Sequence, residues 1–178
     1  LDENRTGAHG LFPKERYCGD IATPVQSINV NTRAWRALRD LSSVLAEAGD
    51  APAAQHYAKV AGEFRGTVLD AIAKSVRRET HPPFVPVALM DQEPPHDPIC
   101  RVRIGSYWNI IIGYTLASGI FPPGSAEETW IPHYQEQHGG LCMGMLRAGG
   151  AEYTLLILTP PMKAILPSTI SSLRWSRR

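Results

Sequence analysis

The sequence predicts an all-α fold made of antiparallel helical hairpins. Three observations carry that expectation. Apolar residues recur at three- and four-residue steps over 35–45 and again over 57–72. The connection between those stripes is too short for anything but a reversal of direction. A second pair of helices, with its own start and stop signals, is expected over 106–137.

Residues 1–30 read as irregular, because Gly7, Gly10, Pro13, Gly19 and Pro24 break any long period. The first helix is expected to be capped by Asn31 or Thr32, with Trp35, Leu38, Leu41 and Leu45 as its stripe and Gly49 as its stop. Asp50 then caps a second helix that tolerates Pro52 in its first turn. Its stripe is Tyr57, Val60, Ala61, Phe64, Val68 and Ile72, and it fades near Arg77 and Arg78.

From His81 to Pro98 the chain is rich in proline. The apolar run "FVPVALM" within it reads as buried, yet its prolines rule out a helix or an inner strand. Long ordered loops inside a compact domain usually serve a site or cap one. A third helix is expected from Ser106 to Ser118, stopped by Gly119. A fourth begins with the capping box Ser125 and Glu128, carries Trp130, Ile131 and Tyr134, and stops at Gly139-Gly140. Two hairpins separated by a proline-rich crossing suggest an array of helical hairpins.

One domain, residues 1–150, is expected, followed by an atypical basic, proline-containing tail over 151–178. No acidic residue follows Glu152, whereas Lys163, Arg174, Arg177 and Arg178 are all basic. That tail is expected to be weakly structured. The chain starts at Leu1 and reads as a fragment or a processed product, so its compartment stays open.

Composition narrows the function classes. With 178 residues, 43% hydrophobic and 20% charged, the chain belongs with soluble globular domains. A net charge of +1 argues against nucleic acid as the main partner. No apolar run approaches the roughly 20 residues that cross a bilayer, so no membrane partner is expected. Cys18, Cys100 and Cys142 are widely spaced and odd in number, which suggests free thiols or one disulfide with a spare. His81, His96 and His133 lack paired-ligand spacing, so no metal is expected. Without a glycine-rich phosphate loop or a Gly-x-Ser-x-Gly elbow, no cofactor is expected either.

Three stretches offer chemistry. "ERYCGDIATP", 15–24, places Glu15 and Asp20 in a loop just before the first hairpin. A carboxylic acid half-enclosed beside aromatics can act as a general acid, whereas an Asp after Gly19 can equally be a turn residue. "GSYWNIII", 105–112, sets Tyr107, Trp108 and Asn109 at a helix start. Such aromatics either stack on the CH-rich face of a sugar or simply fill core. "HGGLCMGM", 138–145, lets His138 face the same cleft, or else complement a helix end.

These three stretches, in this order, resemble the six-hairpin glycosidases, the (α/α)6 toroids, and most of all the branch holding trehalases and processing α-glucosidases. "ERYCGD" is similar to that branch's acid-bearing loop. "SINVNTRAWRALRDLSSVLAEAGDAPAAQHYAKVAGEF" is similar to its long hairpin, and "IGSYWNIIIGYTLASG" to the opening of an inner helix. The likeness covers roughly residues 15–147. It implies that Asp20 is the general acid and Trp108 a sugar-stacking residue, with a carbohydrate as substrate. Ile104 and Ser106 stand where the branch keeps an arginine and a proline.

The expected protein is therefore a fragment of a glycoside hydrolase working by general acid/base catalysis, with part of an (α/α)6 toroid as its fold. Asp20 is its catalytic residue, and Tyr107, Trp108, Asn109, His138 and Glu15 contact the sugar. A toroid needs six hairpins, and the remaining hairpins are missing from this chain. The second carboxylate of inverting relatives has no counterpart after Glu152, so the chain holds the acid half of such a site without its base. Two other readings stay open: a helical-hairpin module that binds another protein, and a carbohydrate-binding relative without catalysis.

Overall fold

The computed structural model describes residues 8–18 and 21–148, and the backbone of 155–157. Among them the architecture is mostly helical, with short strands only. Helix α1 (Ile28–Glu47) starts earlier than its apolar stripe suggests. Ile28 is fully buried and its N–H donates to the Val87 carbonyl at 2.9 Å, which pulls the helix start forward. Asn31, expected as the cap, instead lies inside the first turn. Its amide donates to the Ser27 carbonyl at 2.8 Å, and its Oδ1 accepts from the Phe12 N–H at 3.0 Å. Thr32, the other expected cap, also lies within the turn, donating to the Asn29 carbonyl at 3.2 Å.

Helix α2 (Ala51–Ser75) begins as its sequence implies. Gly49 takes φ +85°, a left-handed backbone that closes α1, and Asp50 accepts from the Ala53 N–H at 3.1 Å. α1 and α2 form an antiparallel hairpin, stitched near its turn by Ser42, whose hydroxyl donates to the Ala54 carbonyl at 3.1 Å. Trp35 and Leu38 from α1 meet Phe64, Val68 and Ile72 from α2 in one hydrophobic core. Leu41 is the exception on the expected stripe, at 39% exposure.

The proline-rich crossing packs inward. Phe84, Val85, Val87 and Leu89 are fully buried. Proline withholds donors there, so regular pairing is confined to two residues: β1 (Gln26–Ser27) runs antiparallel to β2 (Ala88–Leu89). The expected third helix is two pieces, α3 (Arg103–Ile111) and α4 (Gly113–Ser118), interrupted at Ile112. α4 stops at Gly119, at φ +72°.

Helix α5 (Ala126–Gln137) follows. Its capping box is only half formed. The Ser125 side chain makes no capping bond, and Glu128 reaches back to the Gly124 N–H at 2.7 Å rather than to Ser125. Beyond Gly139 the chain turns into β3 (Leu141–Cys142) and β4 (Met145–Ala148), an antiparallel pair extended by β5 (Leu155–Ile157). β5 falls in the tail expected to be weakly structured, and it pairs with β4 residue by residue from Leu146 to Ala148. The three cysteines are free and partly buried.

Candidate functional site

Hydrogen bonds bring the chemistry-bearing segments to one end of the α1–α2 hairpin. The start of α1 is held to the crossing through Ile28 and Val87. The end of α2 is held to it as well, since Ser75 Oγ accepts from the Met90 N–H at 2.8 Å. The turn before α3 is tied to the end of α5, with the Ile99 N–H donating to the His138 carbonyl at 2.9 Å. The N-terminal loop joins the same end through the ion pair of Lys14 with Asp91, at 2.7 Å.

Beneath these loops lies an aromatic cluster. Phe84 stacks on Trp108 at 5.1 Å and packs against Tyr134 at 5.0 Å, while Trp108 meets Tyr134 edge-on at 5.5 Å. The Trp108 indole N–H donates to the Val85 carbonyl at 2.8 Å, and the Tyr134 hydroxyl to the His96 carbonyl at 3.0 Å. The polar atoms of these two rings thus find their partners in the crossing.

That burial corrects two expectations. Trp108 is 0% exposed, with its ring against Phe84 and Tyr134, so it has no open face for a sugar. Asn109 is likewise 0% exposed, and its amide is taken up by internal hydrogen bonds. Its amide donates to the carbonyls of Gly140 and Arg147 at 2.7 and 2.8 Å, and its Oδ1 accepts from Gln135 at 3.0 Å. Asn109 therefore ties α3 to α5 and to the β3–β4 hairpin. The physical reason is periodicity: on a helix packed on several sides, adjacent positions 108 and 109 both turn inward.

Tyr107 is half-buried, with the Arg103 guanidinium 5.7 Å from its ring centre. His138 follows the last turn of α5 and stacks on Tyr134 at 4.0 Å, with Nδ1 3.2 Å from the Asp97 carboxylate. Its Nε2 is buried without a hydrogen-bond partner among the described residues. Glu15 is exposed, and its backbone pairs with Val25 in an isolated antiparallel bridge. Asp20 lies outside the described residues.

A pair that the sequence reading missed sits between these segments. Glu93 Oε1 is 2.9 Å from His96 Nε2, with both side chains buried, and Glu93 Oε2 accepts from the Ala88 N–H at 2.8 Å. His96 also packs edge-on against Phe84 at 5.4 Å. The signal available was an acid and a histidine three residues apart inside a buried, proline-rich loop. Histidines screened only for metal spacing do not reveal it.

The Glu93 charge is felt nearby. Burial, and then that negative charge, hold the Tyr17 hydroxyl well above its usual pKa. Burial likewise pushes the Tyr134 hydroxyl up to about 12, with a further rise from Asp97. Neither tyrosine ionises at neutral pH, so both act as donors or as packing, not as bases. Among the described residues, no group of three His, Cys, Asp or Glu side chains is placed to hold a metal ion, and no helix is long and apolar enough to cross a membrane. No family model, curated protein or solved structure matches this chain.

Proposed function

We propose that the chain is part of a six-hairpin, (α/α)6-type glycoside hydrolase, and that its sugar-facing site lies at the loop-bearing end of the α1–α2 hairpin. The observation that carries the reading is the gathering at that one end of residues 12–18 and 21–27 of the N-terminal loop, the 76–102 crossing, the turn before α3 and the end of α5. These segments adjoin three stretches singled out for their chemistry and spread over more than a hundred residues of chain. Asp20 is the general acid that protonates the leaving oxygen of the scissile bond. Tyr107, Glu15 and His138 line the sugar position, while Trp108 and Asn109 form the foundation beneath them.

Cleavage with inversion needs a second carboxylate about 6.5–9.5 Å away to activate water. In this reading the remaining hairpins of the toroid supply it. A helical-hairpin module that docks another protein is the second reading. It draws on Leu41 and Val44, exposed at 39% and 60% on α1, although neighbouring hairpins of a toroid would cover the same residues.

Calorimetric titration with trehalose, maltose and methyl α-glucoside, run alongside an assay for released glucose, tests the proposal. The expected result is weak, saturable sugar binding without cleavage. Robust hydrolysis by this chain would overturn the half-site, and absence of binding to any of the sugars would overturn the carbohydrate reading.

A further inference from the structure

A cleft of about 400 Å3 opens between α1, α2 and the turn after α4. Its walls include Trp35, Arg39, Ala58, Gly62, Arg65 and Pro123. Arg39 stands ~16 Å along α1 from Ile28, at the usual helical rise, so the cleft lies away from the candidate sugar site. Nothing in the preceding chemistry uses it.

Two guanidinium groups share one indole there. Arg39 lies 5.1 Å and Arg65 5.6 Å from the Trp35 ring centre. Two like charges on one ring repel, and each is steadied from outside. Arg39 donates from Nε and Nη2 to Asp40 Oδ1 at 3.1 and 2.9 Å. Arg65 donates from Nε and Nη2 to the Ile120 carbonyl at 3.1 and 2.8 Å. Each keeps one terminal nitrogen with no hydrogen-bond partner among the described residues. That of Arg39 sits beside Gly119, a wall residue, 3.7 Å from where a Cβ there would stand.

Asp40 does not balance this charge. Its other oxygen accepts from Arg36 at 2.6 Å, so one carboxylate serves two arginines, and Arg65 bonds only a neutral carbonyl. The floor is small and open: Ala58 and Gly62 are exposed, and a Cβ on Gly62 would meet nothing within 4 Å. Guanidinium edges bind carboxylate and phosphate oxygens with charge-assisted hydrogen bonds, and a shallow apolar floor accepts a ring or short chain.

We propose that this cleft binds a compact organic anion, with its phosphate or carboxylate between Arg39 and Arg65 and its apolar body over Ala58, Gly62 and Pro123. The proposal is independent of the sugar site.

The test titrates the full 178-residue chain at low ionic strength with phenyl phosphate, benzoate and inorganic phosphate. The readout is the Trp35 indole N–H resonance, assigned by its loss in Trp35→Phe. Phenyl phosphate or benzoate should saturate the shift, the tighter of the two naming the head group, and inorganic phosphate should bind more weakly. Arg39→Gln should weaken binding at least about tenfold, as loss of one charge-assisted contact does. Arg65→Lys keeps the charge but loses the fork, and should also weaken binding.

Arg33→Gln removes the same charge from a guanidinium over Tyr114, outside the cleft, and should change affinity less than about twofold for an exposed charge screened by water. No saturable shift with any probe would overturn the proposal. So would an Arg33→Gln loss equal to that of Arg39→Gln, because the binding would then follow net charge rather than a site.

Discussion

The indole nitrogen of Trp108 donates to the carbonyl oxygen of Val85 across 2.8 Å, joining α3 to the proline-rich crossing. The bond makes Trp108 a fastener between two segments, and it separates packing from recognition in a testable way. Trp108→Ala should cost ~3–5 kcal/mol in denaturant unfolding, the range for truncating a buried aromatic. Trp108→Phe keeps most of the packing but orphans the Val85 carbonyl, and should cost ~1–3 kcal/mol. A Trp108→Ala variant of unchanged stability would show that the residue is not core.

Gly105 is required by close approach rather than by backbone twist. A Cβ there would stand 2.0 Å from the Ile99 carbonyl oxygen and 3.2 Å from the His96 Cβ. Gly105→Ala should therefore cost ~1–3 kcal/mol or more, as forced overpacking does. Gly66 in α2 is the contrast, because a Cβ there meets nothing within 4 Å. Gly66→Ala should stabilise by ~0.5–1 kcal/mol, the usual gain in a helix interior. Thermal or urea unfolding of both variants checks the pair.

Glu93 and His96 hold the crossing in its folded path. His96→Ala leaves the buried Glu93 carboxylate with the Ala88 N–H but without its ring partner. The expected loss is ~1–3 kcal/mol, the scale for leaving a buried polar group without its hydrogen-bond partner. Glu93→Gln keeps one oxygen to accept from the Ala88 N–H and turns an NH2 donor towards His96 Nε2, which the neutral ring can accept, so it should cost less than His96→Ala. The reverse order would contradict the partnership.

Alkaline pH should loosen the fold. A tyrosine whose folded pKa is raised favours the protonated, folded form. The stability it contributes is complete below its unfolded value of 10.0 and is lost as pH climbs towards about 12, the folded value for Tyr134. Tyr17 shifts in the same direction. Unfolding free energy should therefore fall between pH 10 and 12, and Tyr134→Phe should flatten that slope. An equally steep slope in Tyr134→Phe would place the titration elsewhere.

Much of the helical framework was legible in the sequence. Asp50, Gly49 and the stripe from Ala61 to Ile72 act locally, through a cap, a left-handed turn and a repeated face. The start of α1 was not, because Ile28 is set by a hydrogen bond to Val87, far along the chain. The break at Ile112 also escaped, since an unbroken apolar run carries no mark of where it bends. At the site, the adjacency of Tyr107, Trp108 and Asn109 was visible, but their burial depends on Phe84, Tyr134 and Gln135. Glu93 and His96 were hidden for the same reason: only the fold shows that their loop is interior.

The central claim is that the loop-bearing end of the α1–α2 hairpin faces a sugar. Amide NMR of the chain titrated with trehalose and methyl α-glucoside tests it most directly. Saturable shifts confined to Glu15–Asp20, α3 around Tyr107, and His138–Gly139 are expected, with Asp20→Asn leaving the fold intact. Shifts that instead cluster on the exposed α1 face at Leu41 and Val44, or no shifts at sugar saturation, would contradict it.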